Sequence, residues 1–421
     1  MTKMTKNDKR ALITAIVGSG LDDLNVMFLA FSMSSIVATL GISQTQGGWI
    51  ATITNFGMLL GGLVFGVLAD RYNKYKVFKW TIIIFSLATG LIFFTNNIYY
   101  LYLMRFIAGI GVGGEYGVAV AIMAGIVPPQ RMGRISAFNG IAGQVGSICS
   151  ALLAGFVAPI FGWKGLFLLG LLPLLLVLYM HFAVDEDQIT NRRNTNRQVE
   201  GQPSIRELFK TPLIAHQTVA LMVMTTVQIA GYFGMMNWLP TIMQASLGIS
   251  VKNSSTWMVA TILGMCLGML VFGQILDKLG PRLAYGIFLL MSAASVYLFQ
   301  FANSALTMIV GGMIVGFFVN GMFSGYGAMT SRLYQGRIHS IANNVILNVG
   351  RAIGGFSSVI IGKILDSSSV SMVMLFLASL YLISFVTMLS LPYLQKDRYD
   401  ALLDQDGVTG DANLQVEPSA V

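Results

Sequence analysis

Charge is what this sequence has least of. Asp, Glu, Lys and Arg supply 10% of its 421 residues, where soluble globular chains carry about 25%, so a soluble globular protein is excluded. Cysteine is nearly absent. Cys149 and Cys266 each lie in an apolar helical run, which argues against a structural disulfide and makes a buried small-residue role the expectation. Histidine is equally thin, with His181, His216 and His339 far apart and no Cys/His cluster, so no metal site is expected. No phosphate-binding loop or nucleotide motif accompanies the glycines, which argues against ATP as the driving force, and no cofactor is expected. The 25 methionines are flexible apolar filler and give no cofactor signal.

Apolar residues are what the chain has instead. They make up 55% of it, and the mean hydropathy is +0.71, the balance of a polytopic membrane protein. The opening MTKMTKNDKR is polar, and the apolar run after it is too long for a signal core and lacks a cleavage site, so the first segment is expected to stay. A crossing helix needs about 20 apolar residues. Segments that qualify lie at 11–40, 46–69, 77–96, 99–127, 133–160, 164–184, 212–243, 254–276, 282–302, 305–330, 340–364 and 370–392.

The net charge of +8 could suggest nucleic acid, and the placement of the cations decides against it. Of the 26 Lys and Arg, 21 fall in the segments on one side of this twelve-helix pattern. That is the positive-inside bias, with both termini cytoplasmic in a multi-pass plasma or inner cell membrane protein. The partners expected are therefore the lipid bilayer, a small-molecule substrate and protons, with no nucleic acid and a monomeric chain. The expected fold class is an all-α membrane protein of twelve transmembrane helices in two six-helix halves. The polar stretch DEDQITNRRNTNRQVEGQPSIRELFK divides the segments six and six. It sets boundaries at 1–184 for the N-terminal half, 185–211 for a cytoplasmic linker, 212–395 for the C-terminal half and 396–421 for a cytoplasmic tail.

An internal repeat supports the division. Gly66, Asp70, Arg71 and Lys74 follow the second segment as G-V-L-A-D-R-Y-N-K, and Gly273, Asp277, Lys278 and Arg282 follow the eighth as G-Q-I-L-D-K-L-G-P-R. The glycine lets helices approach closely. The Asp can accept from helix N-termini or pair with nearby cations, a latch that must break if the halves rock. Twelve helices, a six-plus-six split and this doubled loop motif resemble the major facilitator superfamily over about residues 11 to 395. Asn73 departs from the family's usual Gly, and its tolerance of a left-handed turn is expected to preserve the loop.

The fourth segment reads R-F-I-A-G-I-G-V-G-G-E-Y-G from Arg105 to Gly117. It resembles the signature of proton symporters for organic acids, sialic acid, sugars and phosphate. Asn237-Trp238-Leu239-Pro240-Thr241 and Asn348-Val349-Gly350-Arg351 resemble patterns of the aromatic acid and related metabolite:proton symporters. That branch usually carries D-G-x-D in its first helix. Here Ser19-Gly20-Leu21-Asp22 aligns, so Asp22 alone matches and Asp23 is extra. The resemblance implies a non-enzymatic importer of a small organic acid, driven by the proton gradient. A sugar, polyol or sialic-acid symporter, an exporter and a non-transporting receptor on the same fold remain the alternatives. The sugar-porter and exporter motifs are not present.

Acids and bases at mid-helix are costly and mark substrate or proton paths. Asp22, Asp23 and Glu115 are the proton-coupling candidates. Adjacent helical residues diverge by about 100°, so the two Asp cannot share one narrow target, and Asp23 is either a second acid or an interhelical hydrogen-bond group. Gly18 and Gly20 are expected to loosen the helix around them. Glu115 could instead be a fixed counter-charge. Arg351 offers a planar fork for a substrate carboxylate or a salt bridge to one of the three acids. Arg105 has a structural or proton-relay role. The glycines at 109, 113 and 117 form a packing face. Asn25, Asn139, Gln144, Gln228, Tyr232, Asn237, Trp238, Asn320, Tyr326 and Asn348 are candidate substrate contacts, each of which could equally be an interhelical group.

Overall fold

The computed structural model describes residues 4–127, 129–185, 205–334 and 338–406. Helices dominate, because lipid offers no partner for backbone polar groups and a helix satisfies them internally. The N-terminal half comprises α1 (Lys6–Leu40), α2 (Gln44–Arg71), α3 (Lys74–Leu91), α4 (Ile98–Ile126), α5 (Pro129–Leu168) and α6 (Pro173–Ala183). The C-terminal half comprises α7 (Pro212–Leu247), α8 (Val251–Leu279), α9 (Pro281–Phe299), α10 (Ala305–Gly321), α11 (Phe323–Leu333), α12 (His339–Gly354), α13 (Ser357–Ser367) and α14 (Val370–Leu389). The last helix, α15 (Lys396–Asp406), follows outside the bundle.

Among the described residues, eleven helical stretches are long and apolar enough to cross a membrane, and one of them, at 138–183, has 46 residues. As one helix it would reach about 69 Å, more than twice the ~30 Å hydrocarbon core. It folds at Gly162, whose φ of 70° and ψ of 176° suit a residue without Cβ. Two crossings result, giving twelve. The tenth is built from α10 and α11, and the eleventh from α12 and α13 with a break at Gly355 and Phe356. The polar link expected at 185–211 falls largely outside the described residues, as does the tail beyond residue 406.

Glycine sets the helix spacing inside the N-terminal half. A Cβ on Gly57 or Gly61 of α2 would collide with the backbone of Phe106 or Ile110 of α4, and one on Gly109 or Gly113 would collide with Thr54 or Met58. The α2–α4 seam is therefore backbone against backbone. Gly117, expected on the same face, meets nothing within 4 Å, because the face ends one turn earlier.

Four expectations need correction. Gly18 and Gly20 do not loosen α1, which runs unbroken through them. They admit neighbours instead, since a Cβ on Gly18 would strike the Phe78 ring and one on Gly20 the Ala142 carbonyl. Asn73 takes no left-handed turn. Its φ is −61°, and its side-chain oxygen accepts from the Tyr75 and Lys76 amides as the cap of α3, which explains Asn there better. Gly66 and Gly273 make no close helix approach, for both meet nothing within 4 Å. Cys149 is exposed and Cys266 half-buried, because the outer face of a membrane bundle meets lipid, where a thiol fits as well as in a core.

The doubled loop motif sits where the helices turn. Asp70 lies in the last turn of α2, with its side chain outside the described residues, and Arg71, the last residue of the helix, is exposed. In the other half Asp277 is exposed, Arg282 donates to the Leu389 carbonyl at 3.3 Å, and α15 packs alongside. Lys396 donates to the Lys278 carbonyl at 2.6 Å. Arg332 lies 3.8 Å from Asp400 and 4.3 Å over the Tyr399 ring.

Candidate functional site

Helix α1 has 35 residues, so Asp22 and Asp23 stand at its middle. Three small residues let α4 and α5 close around them. Gly18 faces Phe78 and Glu115, Gly20 faces Ala142, and Gly146 of α5 faces Gly20 and Leu24. The helical rotation then splits the two acids between different surroundings.

Asp22 turns into the α1–α4 seam. It is buried, and one of its carboxyl oxygens has no hydrogen-bond partner among the described groups. Its side chain lies within hydrogen-bonding reach of Glu115. Glu115 is fully buried, accepts from the Ser19 hydroxyl at 3.5 Å, and also keeps one oxygen unpartnered. A carboxylate can only accept. Two carboxyls in such contact form a hydrogen bond only when one of them carries a proton, and a shared proton is the arrangement that low-dielectric surroundings favour.

Asp23 turns the other way. It is half-buried, and its carboxylate rests on Gly143 of α5, where a Cβ would displace it. Across the halves it interacts electrostatically with Arg351 of α12 and lies near Tyr232 of α7. Arg351 is half-buried, and among the described residues no ion pair or hydrogen bond holds its guanidinium. Tyr116 of α4 is 48% exposed although it stands within the fields of Asp23, Glu115 and Arg351. Its exposure is therefore to a space between the halves. Beside these, Gln144 and Asn348 are half-buried.

Most of the other candidates bond within the protein, although Asn139 Oδ1 and Gln228 Oε1 are buried without a partner among the described groups. Gln228 donates to the Val319 carbonyl at 2.8 Å, Asn237 to the Ser358 hydroxyl at 3.1 Å, Trp238 to the Ser358 carbonyl at 3.1 Å and Tyr326 to the Met224 carbonyl at 3.2 Å. Asn25 donates to the Leu21 carbonyl at 3.0 Å and packs against Gly170. Asn139 and Asn320 are buried. Arg105 is 2% exposed, and its Nε donates to the Thr54 hydroxyl at 3.2 Å. It stands ten residues along α4 from Glu115, about 15 Å away on the helix rise.

Two residues of this centre escape the sequence reading. Tyr116 follows Glu115 in the quoted signature and looks like ordinary aromatic packing. Ser19 occupies the position where an acid is expected, and its hydroxyl still reaches Glu115. The signal for Tyr116 was its adjacency to Glu115, and for Ser19 its place at the expected acid position.

The hydrogen bonds that join the two halves gather at the end of the bundle away from the N-terminus. Ser34 donates to Gln244 at 2.7 Å. Thr52 takes the Gly355 carbonyl, freed by the break in the eleventh span, at 2.9 Å. Asp366 accepts from the amides of Gln44 and Thr45 at 2.9 and 2.8 Å.

Comparison with known proteins agrees with this architecture. The model of the Major Facilitator Superfamily matches residues 15–255 and 221–404. A protein of Haemophilus influenzae named "Putative metabolite transport protein" is 33% identical, covering 93% of this chain and 98% of its own. The cis,cis-muconate transport protein of Acinetobacter baylyi is 26% identical over 93% and 95%. The solved xylose transporter XylE from E. coli, in a partially occluded inward-open conformation, superposes with a TM-score of 0.74 at 15% identity, covering 92% of this chain and 98% of that one.

Proposed function

From the premise that the chain belongs to the Major Facilitator Superfamily of secondary transporters and is not an enzyme, we propose that it imports a small organic acid together with protons by alternating access. The observation that carries the reading is the division of labour between neighbours on α1. Asp22 and Glu115 form a carboxyl pair suited to hold one transferable proton, while Asp23 and Arg351 face each other across the halves.

In the proposed cycle the Asp22–Glu115 pair takes a proton when the site opens away from the chain termini. The substrate carboxylate then docks on Arg351, whose planar fork gives two parallel hydrogen bonds to a carboxylate. Asp23 offsets part of the Arg351 charge through its field when the site is empty, without an ion pair. With Arg351 paired by substrate and the acid pair cut to a single negative charge by its proton, the halves close over a site of reduced net charge and reopen toward the termini. The name of the Acinetobacter relative, whose cargo is a dicarboxylate, supports an acid as substrate class. Both termini lie in the cytoplasm in this reading, following the positive-inside bias. The inter-half hydrogen bonds at the far end then support an inward-facing state.

Proteoliposomes with an imposed proton gradient test this with labelled cis,cis-muconate, benzoate and xylose. Wild-type protein should accumulate an acid and not the sugar. Asp22→Asn should lose accumulation and keep exchange down a substrate gradient. Normal accumulation by Asp22→Asn rejects the proton assignment, and accumulation of xylose alone rejects the substrate class.

A further inference from the structure

A helix starts with backbone amides that its own turn cannot satisfy. In α2 they are divided between two caps. Ser43, the residue before the helix, accepts from the Gln46 amide at 3.1 Å, and Gln46 returns the bond to the Ser43 amide at 3.0 Å. The Gly47 amide reaches the Ser43 carbonyl at 3.0 Å. That leaves the amides of Gln44 and Thr45. Both go to one carboxylate, Asp366, at 2.9 and 2.8 Å, and the Thr45 hydroxyl adds a third bond at 2.5 Å.

Asp366 belongs to the other half. It sits in the last turn of α13, and two glycines bring that helix close to α2. A Cβ on Gly48 would strike the backbone of Ser358 and Val359, and one on Gly362 the backbone of Gln44. The seam is thus glycine-lined along its length and closed at its end by a single acid. An acceptor placed at a helix N-terminus from outside the helix is also favoured by the helix dipole.

We infer that Asp366 is the gate latch on the side away from the termini, a cap supplied in trans that holds α2 against α13 while the site faces the termini and must let go each time the site opens the other way. The inference rests on the alternating-access reading. A trans cap suits this role better than side-chain packing, because water replaces its bonds once the ends separate. The cost of opening then stays small and repeatable. The cis cap of Ser43 and Gln46 keeps the first turn of α2 intact when Asp366 has gone, so release of the latch does not unravel the helix.

Spin labels at Phe94→Cys and Phe301→Cys, in a Cys149→Ser/Cys266→Ser background in lipid nanodiscs, would report the separation of the two far-side loops between α3 and α4 and between α9 and α10. Loss of an N-cap acceptor costs about 1 kcal/mol, roughly a fivefold change in an equilibrium. Asp366→Ala should raise the ratio of wide to narrow distances about that much, and Thr45→Val should raise it less. Thr45→Val added to Asp366→Ala should change nothing further. A distance distribution in Asp366→Ala identical to wild type, in monodisperse protein, overturns the latch. If wild type shows both distances as pH and muconate are varied, only the latch has failed. If wild type shows a single distance throughout, alternating access has failed and the latch with it.

Discussion

Asp22 and Asp23 are consecutive, and they live in different parts of the molecule. Asp22 belongs to one half, buried in the α1–α4 seam with Glu115. Asp23 belongs to the boundary between halves, on a path to Arg351 and Tyr232. A rotation of about 100° along the helix is enough to set one acid against Glu115 of its own half and the other against the boundary, although the field of Arg351 reaches both. Under the proposed rocking, a pair inside one half is expected to keep its geometry and to suit proton storage, and a pairing across the halves is expected to change with state.

The comparison breaks most readily at Arg351. Replacing it with Gln removes the charge that acts on Asp23 and that the proposed cycle assigns to the substrate carboxylate, and a hydrogen bond to a charged group contributes up to about 3 kcal/mol. Apparent affinity for muconate in exchange assays should fall about a hundredfold. Asp23→Asn is expected to be milder. It removes the Asp23 charge that acts on Arg351 and reaches the acid pair only through its field, so exchange affinity should move by about fivefold, roughly 1 kcal/mol, while accumulation persists. The smallest effect belongs to Gly143→Ala, whose new methyl meets the Asp23 carboxylate. A displacement of Asp23 alone should change exchange affinity about twofold, within the small end of surface-type charge effects, and leave accumulation intact. If Gly143→Ala abolishes accumulation, the two acids are not separable in the way the geometry implies.

The fold was legible because membrane helices announce themselves by length and apolarity, and the polar stretch and doubled loop motif show where one half stops. The twelfth crossing needed more care. The structure runs residues 138–183 as one helical stretch, and only Gly162 shows that it folds back. The site was legible in its charges, since a charge inside a bilayer is rare enough to be noticed singly. It was less legible in its uncharged polar groups. Gln228, Asn237 and Trp238 look identical in sequence whether they meet a substrate or a neighbouring carbonyl, and here each meets a protein oxygen. Direction along a helix separates the two, and direction depends on which face the tertiary packing turns inward. The Asp366 cap illustrates the same limit. The acid near the end of the eleventh segment is unremarkable until α2 is seen to start beside it.

The central claim is that the Asp22–Glu115 pair carries the proton that moves with substrate. Proton entry into proteoliposomes, followed with an entrapped pH indicator while muconate enters down its own gradient, tests it directly. Wild-type protein should acidify the lumen in step with uptake, and Asp22→Asn or Glu115→Gln should admit muconate with no acidification. Acidification per muconate equal to wild type in both variants would place the proton elsewhere and contradict the account.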